Sequence, residues 1–222
     1  MSLTATLEQL ISGRDLSFED SKAMMDEIME GSVPPAKLGG LLIALRMKGV
    51  MADELAGFAT TMREHATQLQ HDIPNLVDTC GTGGGPNTFN MSTAAAIVAA
   101  GAGVKVAKHG NRAVTSKCGS ADVLEALGVT LSDDMDKLKS QLDEIGLVFL
   151  FAPHHHPAMR FVGPSRKELG VRTVFNQLGP LANPANAPRQ LIGVFDRAMV
   201  EPMAQALVKL ETAHSMVVHA DE

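Results

Sequence analysis

The chain contains no tryptophan and no tyrosine, and only two of its 222 residues are cysteine. The missing aromatics exclude no function class. The two thiols, Cys80 and Cys118, have no Cys-x-x-Cys spacing, which argues against a disulfide framework and a thiolate zinc site and fits a reducing cytosol. An excess of basic residues is also missing. The formal net charge is -6, which argues against nucleic acid as the main partner, because a phosphate backbone needs a basic footprint. A local basic pocket for a small phosphorylated ligand stays open. No apolar run reaches the ~18 residues needed to span a membrane. The start shows no basic segment followed by an apolar run, so no signal peptide is expected. These absences predict a cytoplasmic protein with no membrane partner.

What is present is apolar. Hydrophobic residues make up 45% of the chain, enough for a sizeable core rather than disorder. The length suits one to two domains at roughly 150 residues each. The N-terminal region reads as helical. Leu3, Leu7, Leu10 and Ile11 recur at helical spacing. Ser17 with Asp20 forms a capping signal ahead of Met24, Ile28 and Met29, and Gly31 supplies a stop. Pro34 and Pro35 open a helix that ends near Gly49, and residues 53–66 form another.

From Leu76 the period changes. Strands are expected over 76–79, 104–107, 147–151, 191–195 and 215–219, and helices over 92–100, 121–127, 135–145 and 198–210. This alternation implies a mostly parallel sheet with helices on its faces. The expected domains are a helical unit over 1–70 and an α/β unit over 71–222. The Pro- and Gly-rich segment 157–188 is an excursion that could pack on the helical unit.

Ligands of open α/β sheets bind at the carboxyl ends of the strands. Three polar clusters are expected there: Cys80-Gly81 after the first strand, Lys108-His109 after the second, and Pro153 to His156 after the third. Gly81, Gly83, Gly84 and Gly85 follow a strand and precede a helix, where backbone without Cβ approaches anions closely. This loop is neither a Walker loop nor a dinucleotide fingerprint, since the terminal Gly-Lys-Ser/Thr is missing and Pro86 stands where a third glycine is needed. Asn90, Ser92 and Thr93 open a helix, as caps, as a phosphate site, or as both. Lys108, His109, Asn111 and Arg112 gather two cations, an imidazole and an amide, and Ser116, Lys117, Gly119 and Ser120 form a second small turn before a helix. His154, His155 and His156 are adjacent and lack the i, i+4 spacing of a helical zinc site, so one of them lining a pocket is the better reading. The carboxylates offer no paired general acid and base, and Asp78 reads as structural.

Together GTGG, NTFNMST, KHGNR, GSADVLEALG, HPAM and GVRTVFNQLGPLANP resemble the anthranilate phosphoribosyltransferase family. The related pyrimidine nucleoside phosphorylases share the architecture but carry Ser and Thr where this chain has Asn111 and Arg112. A relative that is catalytically silent and binds nucleic acid is a rival reading, disfavoured by the charge. The resemblance implies a nucleoside phosphorylase/phosphoribosyltransferase-like fold, with a small helical domain, a larger α/β domain and a site between them. It also implies a homodimer through the helical domain. The reaction it implies joins anthranilate to phosphoribosyl pyrophosphate with Mg2+, in tryptophan biosynthesis. By the same resemblance Gly81, Gly84, Gly85, Thr88, Asn90, Ser92, Thr93, Lys108 and Ser120 bind the phosphoribosyl donor, and Ser92 also touches Mg2+. Gly81, His109, Asn111, His156 and Arg166 hold anthranilate.

Two departures from the family pattern stand out. The loop GTGGGPNTFN is one residue shorter than the family's and has Gly85 where an aspartate is expected, so altered donor or Mg2+ handling is expected. The family's chains also continue further, and Asp221 and Glu222 stand too early to be its Mg2+-binding Asp-Glu pair. The resemblance therefore implies an N-terminal portion, with an incomplete sheet and very slow turnover on its own.

Overall fold

The computed structural model describes residues 2–83, 89–113 and 118–220. Four helices come first: α1 (Leu3–Ile11), α2 (Phe18–Met29), α3 (Pro35–Lys48) and α4 (Ala52–Glu64). Their ends follow local chemistry. The Ser17 hydroxyl accepts the Asp20 N–H at 3.1 Å to start α2, and Pro35 starts α3 where its missing N–H costs nothing. Gly49 ends α3 at φ 86°, a conformation that favours glycine. Leu38, Leu41, Leu42 and Leu45 form one buried stripe of α3. Each fully buried leucine is worth roughly 1.5–3 kcal/mol, so Leu41→Ala would cost about 2–5 kcal/mol.

The α/β part runs β1 (Val77–Gly81), α5 (Met91–Gly101), β2 (Val106–Gly110), α6 (Ser120–Ala126), α7 (Met135–Glu144), β3 (Leu147–Phe151), α8 (Ala152–His155), α9 (Gly163–Leu169), α10 (Phe175–Leu178), β4 (Arg189–Gly193), α11 (Val200–Lys209) and β5 (His214–Val218). The strands form one five-stranded sheet in the order β3-β2-β1-β4-β5, with every neighbouring pair parallel. The expected fold class, a helical unit with a parallel α/β sheet, is the one observed.

Strand alternation sends successive side chains to opposite faces. Ala107, Val148 and Leu150 pack with Leu138 and Leu142 of α7 on one face. Phe149 and Phe151 pack with Ala121 and Leu124 of α6 on the other. A third apolar cluster is continuous from α1–α4 through Val162, Val174, Phe175, Leu178 and Leu181 to Ile192 of β4 and Met203 and Leu207 of α11. The segment after α8 therefore shares its core with the four N-terminal helices.

Several boundaries differ from expectation. β2 runs on through Gly110, so Lys108 and His109 lie inside the strand rather than in a loop after it. The cause is β3, whose Phe149, Leu150 and Phe151 pair in register with Lys108, His109 and Gly110. Cys80 and Gly81 likewise belong to β1, paired with Ile192 and Gly193 of β4. Pro153, His154 and His155 of the third cluster fall in the short helix α8, and His156 follows it. The fourth strand begins at Arg189, directly after Pro188, because β1 draws Arg189 and Gln190 into its ladder.

Candidate functional site

β1 and β2 are bonded in register only at Val77↔Val106. Beyond that point side chains bridge the gap. The Lys108 ammonium donates to the Thr79 carbonyl at 2.5 Å, and an Asp78 carboxylate oxygen accepts the His109 N–H at 3.2 Å. Lys108 and Asp78 are both buried. Burial lowers the Lys108 pKa and raises that of Asp78, and the opposite charge of each partner opposes the shift.

Lys108 points to the α5 side. Its Nζ donates to the Ser92 hydroxyl at 3.1 Å, while the Thr79 hydroxyl donates to the Ser92 carbonyl at 2.8 Å. These bonds fix the N-terminus of α5, an eleven-residue helix, against the strand ends. Free N–H groups and the helix dipole favour an anion there. Thr93 is buried next to Ser92, and its hydroxyl has no hydrogen-bond partner among the described residues. Asn90 occupies the cap position without a side-chain cap bond. It reaches across to the Gly119 carbonyl at 3.5 Å instead.

The turn before α6 is held by Asp122. Its Oδ2 accepts the N–H of Gly119 at 2.7 Å and of Ala113 at 2.9 Å, and these bonds lower its pKa. The Ser120 hydroxyl donates to the Asn111 carbonyl at 3.3 Å. Gly119 has no room for a side chain, since a Cβ would lie 2.6 Å from the Asn111 oxygen. Arg112 departs from its place in the basic cluster. It turns to α6, forms a two-pronged ion pair with Glu125 and stacks over Phe151 at 5.4 Å.

His109 points the other way. Its Nδ1 meets the Gly179 carbonyl at 3.0 Å, so that nitrogen carries the proton. The His156 ring lies 5.2 Å away, centre to centre, and His156 bonds the Ala182 backbone. Both imidazoles are buried, and each Nε2 has no hydrogen-bond partner among the described residues. Burial first, and neighbouring imidazoles second, lower His109 well below its usual value and His156 to about 4. Both are therefore neutral at pH 7. The other two adjacent histidines diverge: His155 bonds the Thr67 carbonyl at 2.8 Å and His154 the Ser132 carbonyl at 3.2 Å.

Of the sequence candidates, the structure joins Lys108 to Ser92, Asn90 to Gly119, Ser120 to Asn111, and His109 to His156. Gly81 ends β1 beside Gly193. Asn111 is exposed, and its side chain accepts the Arg112 N–H at 2.7 Å. Arg166 lies in α9, half-buried, with its guanidinium 5.4 Å from the centre of the Phe175 ring. No hydrogen bond joins Arg166 to His109 or Asn111 among the described residues. Gly84, Gly85, Thr88, Ser116, Lys117, Asp221 and Glu222 lie outside the described residues.

Sequence reasoning missed the clamping role of Asp122, although an acid three residues after Gly119 is a capping signal. It also missed Thr79 and gave Asp78 no specific bond. Among the described residues no group of three or more His, Cys, Asp or Glu side chains could hold a metal.

Comparison with known proteins decides the family. Residues 73–222 match the model of the glycosyl transferase family a/b domain, and residues 4–66 match that family's helical bundle domain. This chain belongs to the glycosyl transferase family. A relative within it, the anthranilate phosphoribosyltransferase of Chloroflexus aurantiacus, is 53% identical over the whole of this chain. The chain spans 65% of that relative's length. The crystal structure of anthranilate phosphoribosyltransferase from Thermus thermophilus superposes with a TM-score of 0.90 at 47% identity, over 97% of this chain and 66% of that one. The Saccharomyces cerevisiae enzyme in complex with PRPP and Mg superposes with a TM-score of 0.88 at 30% identity, over 97% and 64%. In this glycosyl transferase-family chain the two matched regions are separated by residues 67–72, within the linker between α4 and β1.

Proposed function

We propose that the protein transfers the phosphoribosyl group of phosphoribosyl pyrophosphate to the amine of anthranilate, as a step of tryptophan biosynthesis. One observation carries the reading. Lys108 and His109 are adjacent in one strand and serve opposite faces, the cation toward the α5 N-terminus and the neutral imidazole toward His156. An anionic donor and an aromatic acceptor thus meet at a single strand end. The relatives' names and the PRPP and Mg of the yeast complex support the same assignment.

In this reading the ribosyl carbon develops positive charge as its bond to pyrophosphate breaks. Lys108, the N–H groups opening α5, and the hydroxyls of Ser92 and Thr93 hold the departing anion. Gly81, Asn90 and Ser120 complete the donor cradle, with Gly84, Gly85 and Thr88 assigned to it from the sequence. The anthranilate amine is largely unprotonated at neutral pH, so attack needs no strong base beforehand. His109, His156, Asn111, Gly81 and Arg166 enclose the acceptor, and the arginine suits its planar carboxylate.

Among the described residues, Mg2+ fits this site only as a companion of the donor. The described residues offer it the Ser92 hydroxyl, already bonded to a cation, and no carboxylate cage. A Mg2+ ion bound mainly by the pyrophosphate oxygens matches that donor set. When bound it would neutralise leaving-group charge. The proposal also includes a helical unit over 1–70, an α/β unit over 71–222, and a homodimer through the helical unit in the cytoplasm. Ile11, Met47 and Met51 are exposed apolar residues of that unit. No described helix is long and apolar enough to cross a membrane.

The test is direct. Anthranilate fluorescence should fall when phosphoribosyl pyrophosphate and Mg2+ are added to the protein that contains this chain. Unchanged fluorescence, with both substrates shown to bind, would remove the reading.

A further inference from the structure

Residues 179–183 run through the interior without an α-helix or a strand, and Pro180, Leu181, Ala182 and Asn183 are all buried. Buried carbonyls need partners. Here side chains from four separate segments supply them. His109 of β2 takes the Gly179 carbonyl at 3.0 Å. Gln190 of β4 donates to the Pro180 carbonyl at 2.8 Å. Arg63 of α4 donates to the Leu181 carbonyl at 2.7 Å. His156, after α8, bonds the Ala182 backbone. Asn183 closes the run by donating to the Ala107 carbonyl at 2.9 Å.

Two of these four side chains, His109 and His156, belong to the proposed acceptor pocket. The other two do not. Arg63 comes from the last turn of the helical bundle and Gln190 from the far side of β1. We infer that Arg63 and Gln190 are positioning residues, which pin the 179–182 strip so that its carbonyls set the ring orientation and the protonated nitrogen of His109 and His156.

The chemistry follows from what a carbonyl can do. It only accepts, so a carbonyl held against Nδ1 of His109 forces the proton onto that nitrogen. The lone pair of Nε2 is then presented as an acceptor. If the strip shifts, both imidazoles lose the partner that fixes their tautomer. The guanidinium of Arg63 suits the task because burial lowers its pKa only to about 10, leaving it charged at neutral pH. Its bond also ties the helical bundle to the acceptor side of the sheet, so a displacement of α4 would be transmitted to the strip. The inference rests on the anthranilate reading for the role of the pocket, but not for the geometry.

The experiment compares wild type, Arg63→Met, Arg63→Lys and Gln190→Leu. Anthranilate and phosphoribosyl pyrophosphate affinities are measured separately, alongside thermal melts and the NMR signals of isotope-labelled histidine ring nitrogens. Arg63→Met and Gln190→Leu should weaken anthranilate roughly tenfold, equivalent to about 1.4 kcal/mol, and change donor affinity less than about twofold. The His109 and His156 ring signals should shift in both. Arg63→Lys, which keeps a donor, should recover most of the loss. Should Arg63→Met fail to fold, Gln190→Leu carries the test on its own. Folded variants with unchanged ring signals, or with equal losses for donor and acceptor, would overturn the inference. If wild type binds no anthranilate, the functional reading fails, and the ring signals still decide the positioning role.

Discussion

The ammonium of Lys108 lies 3.1 Å from the hydroxyl of Ser92 and 2.5 Å from the carbonyl of Thr79. This small cluster replaces the backbone ladder that β1 and β2 would otherwise share. A buried cation is costly unless paired and hydrogen-bonded. Here Asp78 offsets the charge and two oxygens accept from the ammonium, so a cation is held ready at a helix N-terminus.

The proposed acceptor role of Arg166 gives a test that separates the two substrates. Its side chain is half-buried against Phe175. Arg166→Ala should weaken anthranilate by at least tenfold, since hydrogen bonds to charged groups are worth about 1.5–3 kcal/mol. Donor affinity should stay within about twofold. Titration calorimetry with each substrate checks this, and equal losses would remove Arg166 from the acceptor site.

Asp122 holds the turn that precedes α6. Asp122→Ala strips the Gly119 and Ala113 N–H groups of their shared acceptor. The expected loss is about 1–2 kcal/mol of stability. Gly119→Ala should be worse, because the added Cβ meets backbone rather than a movable side chain. Melting temperatures for the two variants give the order, and a Gly119→Ala protein as stable as wild type would contradict it.

The buried imidazoles of His109, His155 and His156 predict the sign of the pH dependence. All three have folded-state pKa values below the ordinary 6.5, His156 at about 4. As pH falls below ~6.5 the unfolded chain takes up protons that the folded chain refuses. Stability is therefore fully present above that pH and declines below it, by up to about 1.4 kcal/mol per pH unit for each group. Asp78, with its raised pKa, opposes part of this loss at the acidic end. Melting temperature should fall between pH 7 and 5, and His156→Gln should fall less steeply. Parallel curves for the two proteins would rule out His156 as a source.

Much of this arrangement is legible in the sequence. Helix starts at Ser17 and Pro35 and the stop at Gly49 follow from capping rules that act within one turn. The alternation of short apolar runs with helical periods gives the parallel sheet. What the sequence does not carry is pairing. Val106 to Gly110 becomes a full strand only because β3 pairs with all of it, which moves Lys108 and His109 from a loop into the sheet. Arg63 and Gln190 have no local signal either, since a mid-sequence arginine and a strand glutamine usually face water. Their partners, Leu181 and Pro180, become buried carbonyls only in the folded chain. Arg112 shows the converse: its place in a basic cluster suggested a ligand contact, and Glu125 of α6 takes its charge instead.

The central claim is that neighbouring residues of one strand serve different substrates. The measurement that tests it most directly is a crossed set of affinities, with Lys108→Met and His109→Leu each titrated with phosphoribosyl pyrophosphate and with anthranilate. Lys108→Met should weaken the donor by roughly tenfold or more and leave the acceptor nearly unchanged, and His109→Leu should do the reverse. Losses that fall equally on both substrates in both variants, in proteins that remain folded, would contradict the division of the site across β2.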